Sequence, residues 1–97
     1  MKRIFKYVLD FSDKQIVSMP EGCTIISVAI QNDTTAAIQN DTIVVYALVD
    51  DTQRYSVPVE FIIHGTGHIA DDVDAHKFLG TVSIRGGQLM FHVFFKL

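Results

Sequence analysis

The chain contains no tryptophan, a single cysteine at Cys23 and only two prolines, Pro20 and Pro58, in 97 residues. One cysteine excludes an intramolecular disulfide and so the stapled scaffolds of small secreted proteins. Cys23 reads as a free structural thiol in a reducing compartment. Basic charge is scarce: 8 Lys and Arg stand against 11 Asp and Glu, for a net charge of −3. The densest basic group is Lys2, Arg3 and Lys6, which falls short of the stripe that neutralises a duplex backbone. Duplex nucleic acid is therefore not an expected partner. Long apolar runs are missing too, since nothing approaches the ~20 residues of a membrane-crossing helix. Met1–Leu9 runs into Asp10, Ser12, Asp13 and Lys14 instead of an apolar core segment, so no secretory leader and no membrane association are expected.

A helical period is also absent. What is present is a succession of β-branched and aromatic stretches separated by turn chemistry, in a chain that is 48% hydrophobic. Arg3–Leu9, Gln15–Met19, Thr24–Ile30, Thr42–Val49, Arg54–His64, Lys77–Arg85 and Gln88–Lys96 read as strands. Pro20-Glu21-Gly22, Asp50-Asp51-Thr52-Gln53 and Gly86-Gly87 read as turns. Pro58 predicts an edge or a bulge, because proline removes a ladder donor. Gly65–His76 reads as a loop with at most one helical turn, whose N-terminal end Asp71, Asp72 and Asp74 would suit. The length allows one domain, residues 1–97. About seven short strands predict an all-β fold, a compact antiparallel sandwich or small barrel. In the last strand both the Leu89, Phe91, Val93, Phe95 row and the Met90, Phe94 row are apolar. A partner subunit is one way to cover the second, so a homo-oligomer is expected.

Ala29-Ile30-Gln31-Asn32-Asp33-Thr34 recurs as Ala37-Ile38-Gln39-Asn40-Asp41-Thr42. Two copies are too few and too short for a solenoid. Removing one leaves a plain hairpin between Ile25–Gln31 and Ile43–Val49, so the duplication lengthens a hairpin tip, where insertions cost little. The longer tip either is a tolerated insertion or reaches a ligand or a neighbouring subunit.

Chemistry-bearing residues concentrate in His64-Gly65-Thr66-Gly67-His68 and the following Asp71, Asp72, Asp74 and His76. Two glycines around a threonine at a strand end let backbone amides converge into an anion-holding nest, to which Thr66 adds a hydroxyl and His68 a ring N–H. The same glycines also suit an ordinary loop that needs positive φ. The loop lacks the Lys-Ser/Thr ending of a nucleotide-binding P-loop, and no helix follows it. His64, His68, His76 and the nearby aspartates are acceptable metal ligands, but their spacing matches no ligand pattern, so no metal and no cofactor are expected. Arg85, before Gly86-Gly87, is either an exposed turn residue or a guanidinium that closes on an anion brought by the loop. His92 should point away from Phe91, beside Met90 and Phe94, as a packed ring or a ligand-facing one. Nucleophilic and paired-carboxylate catalysis find no supporting context around Cys23, the serines, Asp50-Asp51 or Asp71-Asp72. No enzyme activity and no catalytic residue are expected.

Several segments together resemble a family of small bacteriophage proteins. They are Ile4-Phe5-Lys6-Tyr7, Tyr46-Ala47-Leu48-Val49-Asp50, the Gly65-Thr66-Gly67-His68 loop with Asp71-Asp72, Phe78-Leu79-Gly80-Thr81, and the closing Gly86-Gly87-Gln88-Leu89-Met90-Phe91-His92-Val93-Phe94. The residue before the loop is often aromatic in that family, where this chain has His64, and the duplicated hexapeptide is a second departure. The resemblance brings no established activity. It implies a phage-encoded accessory protein in the host cytoplasm that antagonises host defence. The expected partner is then a small anionic nucleotide-type signal or a host defence protein. For the nucleotide, the ligand-binding set is Gly65, Thr66, Gly67, His68, Arg85 and His92, with Tyr46 or Phe94 stacking on a base. The alternative is a protein-docking or virion-accessory module with no small ligand.

Overall fold

A computed structural model describes residues 1–35 and 38–97, with side chains described for 1–32 and 41–97. Seven strands form: β1 (Lys2–Leu9), β2 (Lys14–Pro20), β3 (Thr24–Thr35), β4 (Ile38–Asp50), β5 (Ser56–Gly65), β6 (Lys77–Ile84) and β7 (Leu89–Lys96), with a 3-10 turn at Asp71–Val73. They make two antiparallel sheets, β1-β4-β3 and β2-β5-β7-β6, which is a sandwich and not a closed barrel. Among the described residues no helix is long and apolar enough to cross a membrane.

Alternation along each strand builds the layer between the sheets. On β4, Ile43, Val45, Ala47 and Val49 are at most 1% exposed. They meet Met19, Val59, Phe61, Ile63 and Val93 of the facing sheet in one cluster. Phe61 is fully buried at its centre, and truncation to alanine there costs about 3–5 kcal/mol. Cys23 is buried in the same cluster, and burial pushes its thiol above the usual range, as befits an inert structural thiol. Val44 lies on the opposite face of β4 yet is 1% exposed. Lys6 on β1 reaches across that face of β4 to Gln31 on β3, 2.7 Å from Nζ to Oε1.

The two sides of the sandwich differ. On one side the edge strands β3 and β6 come together, each carrying a bulge, at Ile25/Ser27 and at Phe78/Gly80. A Cβ placed on Gly80 would lie 2.8 Å from Val28 Cγ1, so glycine is what permits the approach. On the other side β1 has β4 as its ladder partner and nothing beyond it among the described residues.

The strands lie where alternation and turn residues place them, with one extension. The β3–β4 hairpin continues through the duplicated hexapeptides, with Gln31 opposite Thr42, Asn32 opposite Asp41, Asp33 opposite Asn40 and Thr34 opposite Gln39. The two copies pair with each other in reverse, so the duplication lengthens the hairpin as ladder. Ala36 and Ala37 lie outside the described residues. Pro58 sits on a stretch of β5 that runs past the end of β7, whose ladder with β5 starts at Glu60, so its missing donor is not needed there. The Asp50 turn is closed by its own carboxylate, which accepts from the Thr52 amide at 3.0 Å and hydroxyl at 2.7 Å. Those bonds bring the acid down to about 2.

Gly80→Ala is expected to destabilise the chain by about 1–3 kcal/mol through overpacking. Val28→Ala in the same chain should recover part of that loss. Chemical denaturation of the two single variants and the double variant measures the coupling; strictly additive losses would contradict the contact.

Candidate functional site

β5 and β6 both run antiparallel to β7, which lies between them. They are therefore parallel to each other, and residues 66–76 must travel back along the sheet to connect them. The connection crosses the outer face. Ile62 points outward, since it alternates with core residues Phe61 and Ile63, yet it is 1% exposed.

Two side-chain clasps hold this strap. His64 Nε2 is 2.7 Å from Asp72 Oδ1. His76 Nε2 is 3.2 Å from Glu60 Oε2, and Lys14 Nζ is 2.8 Å from Glu60 Oε1. Hydrogen bonding from His64 lowers the Asp72 carboxyl, and Lys14, then His76, lower that of Glu60. The ring of His76 is almost enclosed, and its Nδ1 is buried without a partner. Among the described residues no group of three or more His, Cys, Asp or Glu side chains is placed to hold a metal.

The glycine loop is a closed turn. The Thr66 amide donates to Met90 O at 3.3 Å and the His68 amide to Gly65 O at 3.1 Å, while Gly65 is in the ladder opposite Phe91. Gly67 takes φ +88°, the positive value expected of both loop glycines, whereas Gly65 does not take one and stays in the ladder. The His68 ring lies over Gly65, where a Cβ would come within 3.0 Å of it. Together they line a hollow of about 60 Å³ with Phe11, Ser12, Asp13, Ile63 and Phe91, room for about two waters.

His92 points outward, opposite His64 and Thr81. Its Nε2 is 2.8 Å from Thr66 Oγ1 and its Nδ1 is 2.9 Å from Thr81 Oγ1. A neutral imidazole has one donor and one acceptor, so both positions are spent on threonine hydroxyls, and the ring ties the loop to β6. Tyr46 lies on the outer face of the other sheet, opposite Lys6 and Ser27. Phe94 packs edge-to-face on Phe78 with centroids 5.3 Å apart.

Arg85 stands at the same end of the sheet as the glycine loop but lines a different recess. The recess holds about 350 Å³ between the β3–β4 hairpin and the β6–β7 turn, and Ile30, Asn32, Asp41 and Ser83 to Gly87 form its walls. Among the described residues Arg85 is the non-glycine residue with positive φ, at +53°, followed by Gly86 at +65° and Gly87 at +90°. Its amide makes a long contact of 3.4 Å to Asp41 Oδ2. Asp41 Oδ1 is buried and has no partner, and leaving such an oxygen unsatisfied costs about 1–3 kcal/mol. The structure thus joins Thr66 with His92 and Gly65 with His68. It separates both pairs from Arg85 and all of them from Tyr46. Asp41 and Asn32 sit in the duplicated hexapeptides, for which the sequence left open a tolerated insertion or a tip that reaches a ligand, and no residue of the tip was singled out.

Both strap carboxyls are held below their ordinary range in the folded chain. The stability they contribute is complete above about pH 4, the ordinary carboxylate value. It is lost as the pH falls through their lowered folded values. Protection factors for amides 66–76 are expected to fall before those of the sheets on acidification. Asp72→Asn should flatten that profile; an unchanged profile in the variant would contradict the clasp.

Comparison with curated proteins and with solved structures gives no match. A family model matches residues 1–97. The chain belongs to the family described as a domain of unknown function, DUF7352.

Proposed function

We propose that this domain is a non-catalytic binding protein for a small nucleotide-type ligand, held in the recess between the β3–β4 hairpin and the β6–β7 turn. One observation carries this reading: a recess of about 350 Å³ whose wall brings Asp41 together with an arginine held at positive φ. Left-handed backbone costs a residue with a side chain roughly 1–2 kcal/mol, and such strain concentrates where ligands are held. The recess falls within the ~300–1,000 Å³ usual for small-molecule sites.

The chemistry narrows the ligand. Arg85 offers a guanidinium for a phosphate, while Asp41 offers an acceptor for an amino or hydroxyl group. A nucleotide carries both kinds of partner, on its phosphate and on its base or sugar. A bare inorganic anion would meet the carboxylate as well as the guanidinium, and is the poorer fit. The anion-gripping role thus passes from Gly65, Thr66, Gly67 and His68 to Arg85, and the His92 network serves to hold the neighbouring loop. The setting implied by the resemblance, a phage protein in the host cytoplasm that sequesters a defence signal, makes cyclic and linear signalling nucleotides the first class to examine.

The domain should gain thermal stability with its ligand by mass action, several degrees at about 100 times Kd. Arg85→Gly is expected to relieve the backbone strain, leaving the free protein at least as stable, and to abolish the ligand-induced shift. Asp41→Asn should weaken the shift for ligands that donate to that carboxylate. The absence of any shift across a panel of nucleotides would overturn the reading.

A further inference from the structure

We infer that the hollow between the β1–β2 loop and the glycine loop is a binding site for the primary ammonium head of an alkylamine. No residue that lines it borders the Arg85 recess, so the inference stands apart from the nucleotide reading. The walls are set before any ligand arrives. Gln15 braces residues 10–13 from within: its Oε1 accepts from the Asp10 amide at 2.9 Å, and its Nε2 donates to Asp10 O at 2.8 Å and to Ser12 Oγ at 3.2 Å. Asp13 O accepts from the Ile63 amide at 3.0 Å, which pins the loop to β5. The braced loop sets Phe11 edge-to-face on Phe91, with centroids 5.7 Å apart and planes at 62°. Phe11 is half exposed, so this aromatic corner opens to solvent. On the other wall, the missing Cβ of Gly65 leaves the space that the His68 ring takes. A ligand entering such a site has little chain to order.

Charge and size choose the ligand. A cation within about 6 Å of a phenyl face is drawn by the ring quadrupole, and two rings that meet at an angle make a corner for one. Asp13 supplies the countercharge. Among the described residues no ion pair forms to Asp13, because the adjacent Lys14 turns its ammonium to Glu60, 2.8 Å away. The recess beside Glu60 has Lys96 in its wall, and the one beside Asp41 has Arg85. No Lys or Arg lines this hollow. An anion would meet the carboxylate and the negative ring faces, and a neutral molecule would leave the carboxylate without a countercharge. The space of about 60 Å³ admits a head of roughly two heavy atoms. Those are the nitrogen and first carbon of an alkylammonium, whose chain then leaves through the mouth. Its N–H donors find the Asp13 carboxylate and the second lone pair of Ser12 Oγ. The loop whose glycines suggested an anion thus borders a site of the opposite sign.

Chemical-shift titration of the Phe11 and Phe91 ring protons with n-butylammonium at neutral pH tests this. It should bind about tenfold more tightly than n-butanol, which has the same chain and an uncharged head. Tetramethylammonium, too wide for the hollow, should bind no better than n-butanol. Nα-acetyl-lysine amide carries the same head and should move the same protons; its affinity relative to n-butylammonium tells a protein lysine from a free amine as the source. Asp13 is exposed and Phe11 half exposed, so Asp13→Asn and Phe11→Leu should fold, as circular dichroism will verify. Each should weaken n-butylammonium by about three- to fivefold and leave n-butanol within a factor of about two. Equal affinity for n-butylammonium and n-butanol, tight binding of tetramethylammonium, no shift with any probe, or variants that bind the amine as the wild type does would overturn the assignment. None of these results bears on the Arg85 recess.

Discussion

The contact between Gly80 and Val28 is the constraint on which the rest of this molecule depends. The chain closes one side by bringing the bulged edges β3 and β6 together, and only a residue without Cβ leaves space for the Val28 methyl. Closure there leaves the opposite side open. The two sides of the molecule differ accordingly. On the closed side the β3–β4 hairpin is held against the β6–β7 turn, which creates the recess shared by Asp41 and Arg85. On the open side β1 is left with one ladder partner and with Phe5 half out of the core.

The order of strands in the larger sheet supplies the second structural element. Because β7 lies between the parallel strands β5 and β6, the connection must cross the outer face, and there is no helix to carry it. Its hold on the sheet comes from side chains: Asp72 on His64 and the His76–Glu60–Lys14 cluster. The residues that looked most like a metal or anion site in the sequence are here the fasteners of a crossover. Histidines and carboxylates that are close in sequence on a loop have many partners available, and a long crossover over an apolar face demands them.

Much of the fold was legible from local pattern. Alternation along Ile43–Val49 and the turn residues at Gly22, Asp50 and Gly86 specify strands and their ends directly, because period and φ preference act within a few residues. The all-β class follows from the same signals. What stayed hidden depends on contacts between distant segments. Nothing local says that β6 meets β3, so Gly80 reads as an interruption within a strand and not as the point of closure. Asp41 reads as part of a duplicated hairpin tip until the hairpin register places it beside Arg85. The glycine loop misled for the same reason. Two glycines signal that the backbone can take an unusual path, but whether the freed amides face a ligand or the chain depends on Met90 O, which only the fold brings near Thr66.

The most direct test of this account is a nuclear Overhauser experiment on the free protein in solution, read at the Val28 γ-methyl groups. Strong cross-peaks from the Cγ1 methyl to the Gly80 α-protons are expected, since the two strands approach there more closely than side chains normally allow. Cross-peaks from Val28 to its own sheet alone, with none to β6, would mean that the sandwich is open on both sides. In that case neither the Asp41–Arg85 recess nor the special exposure of β1 would have a structural basis.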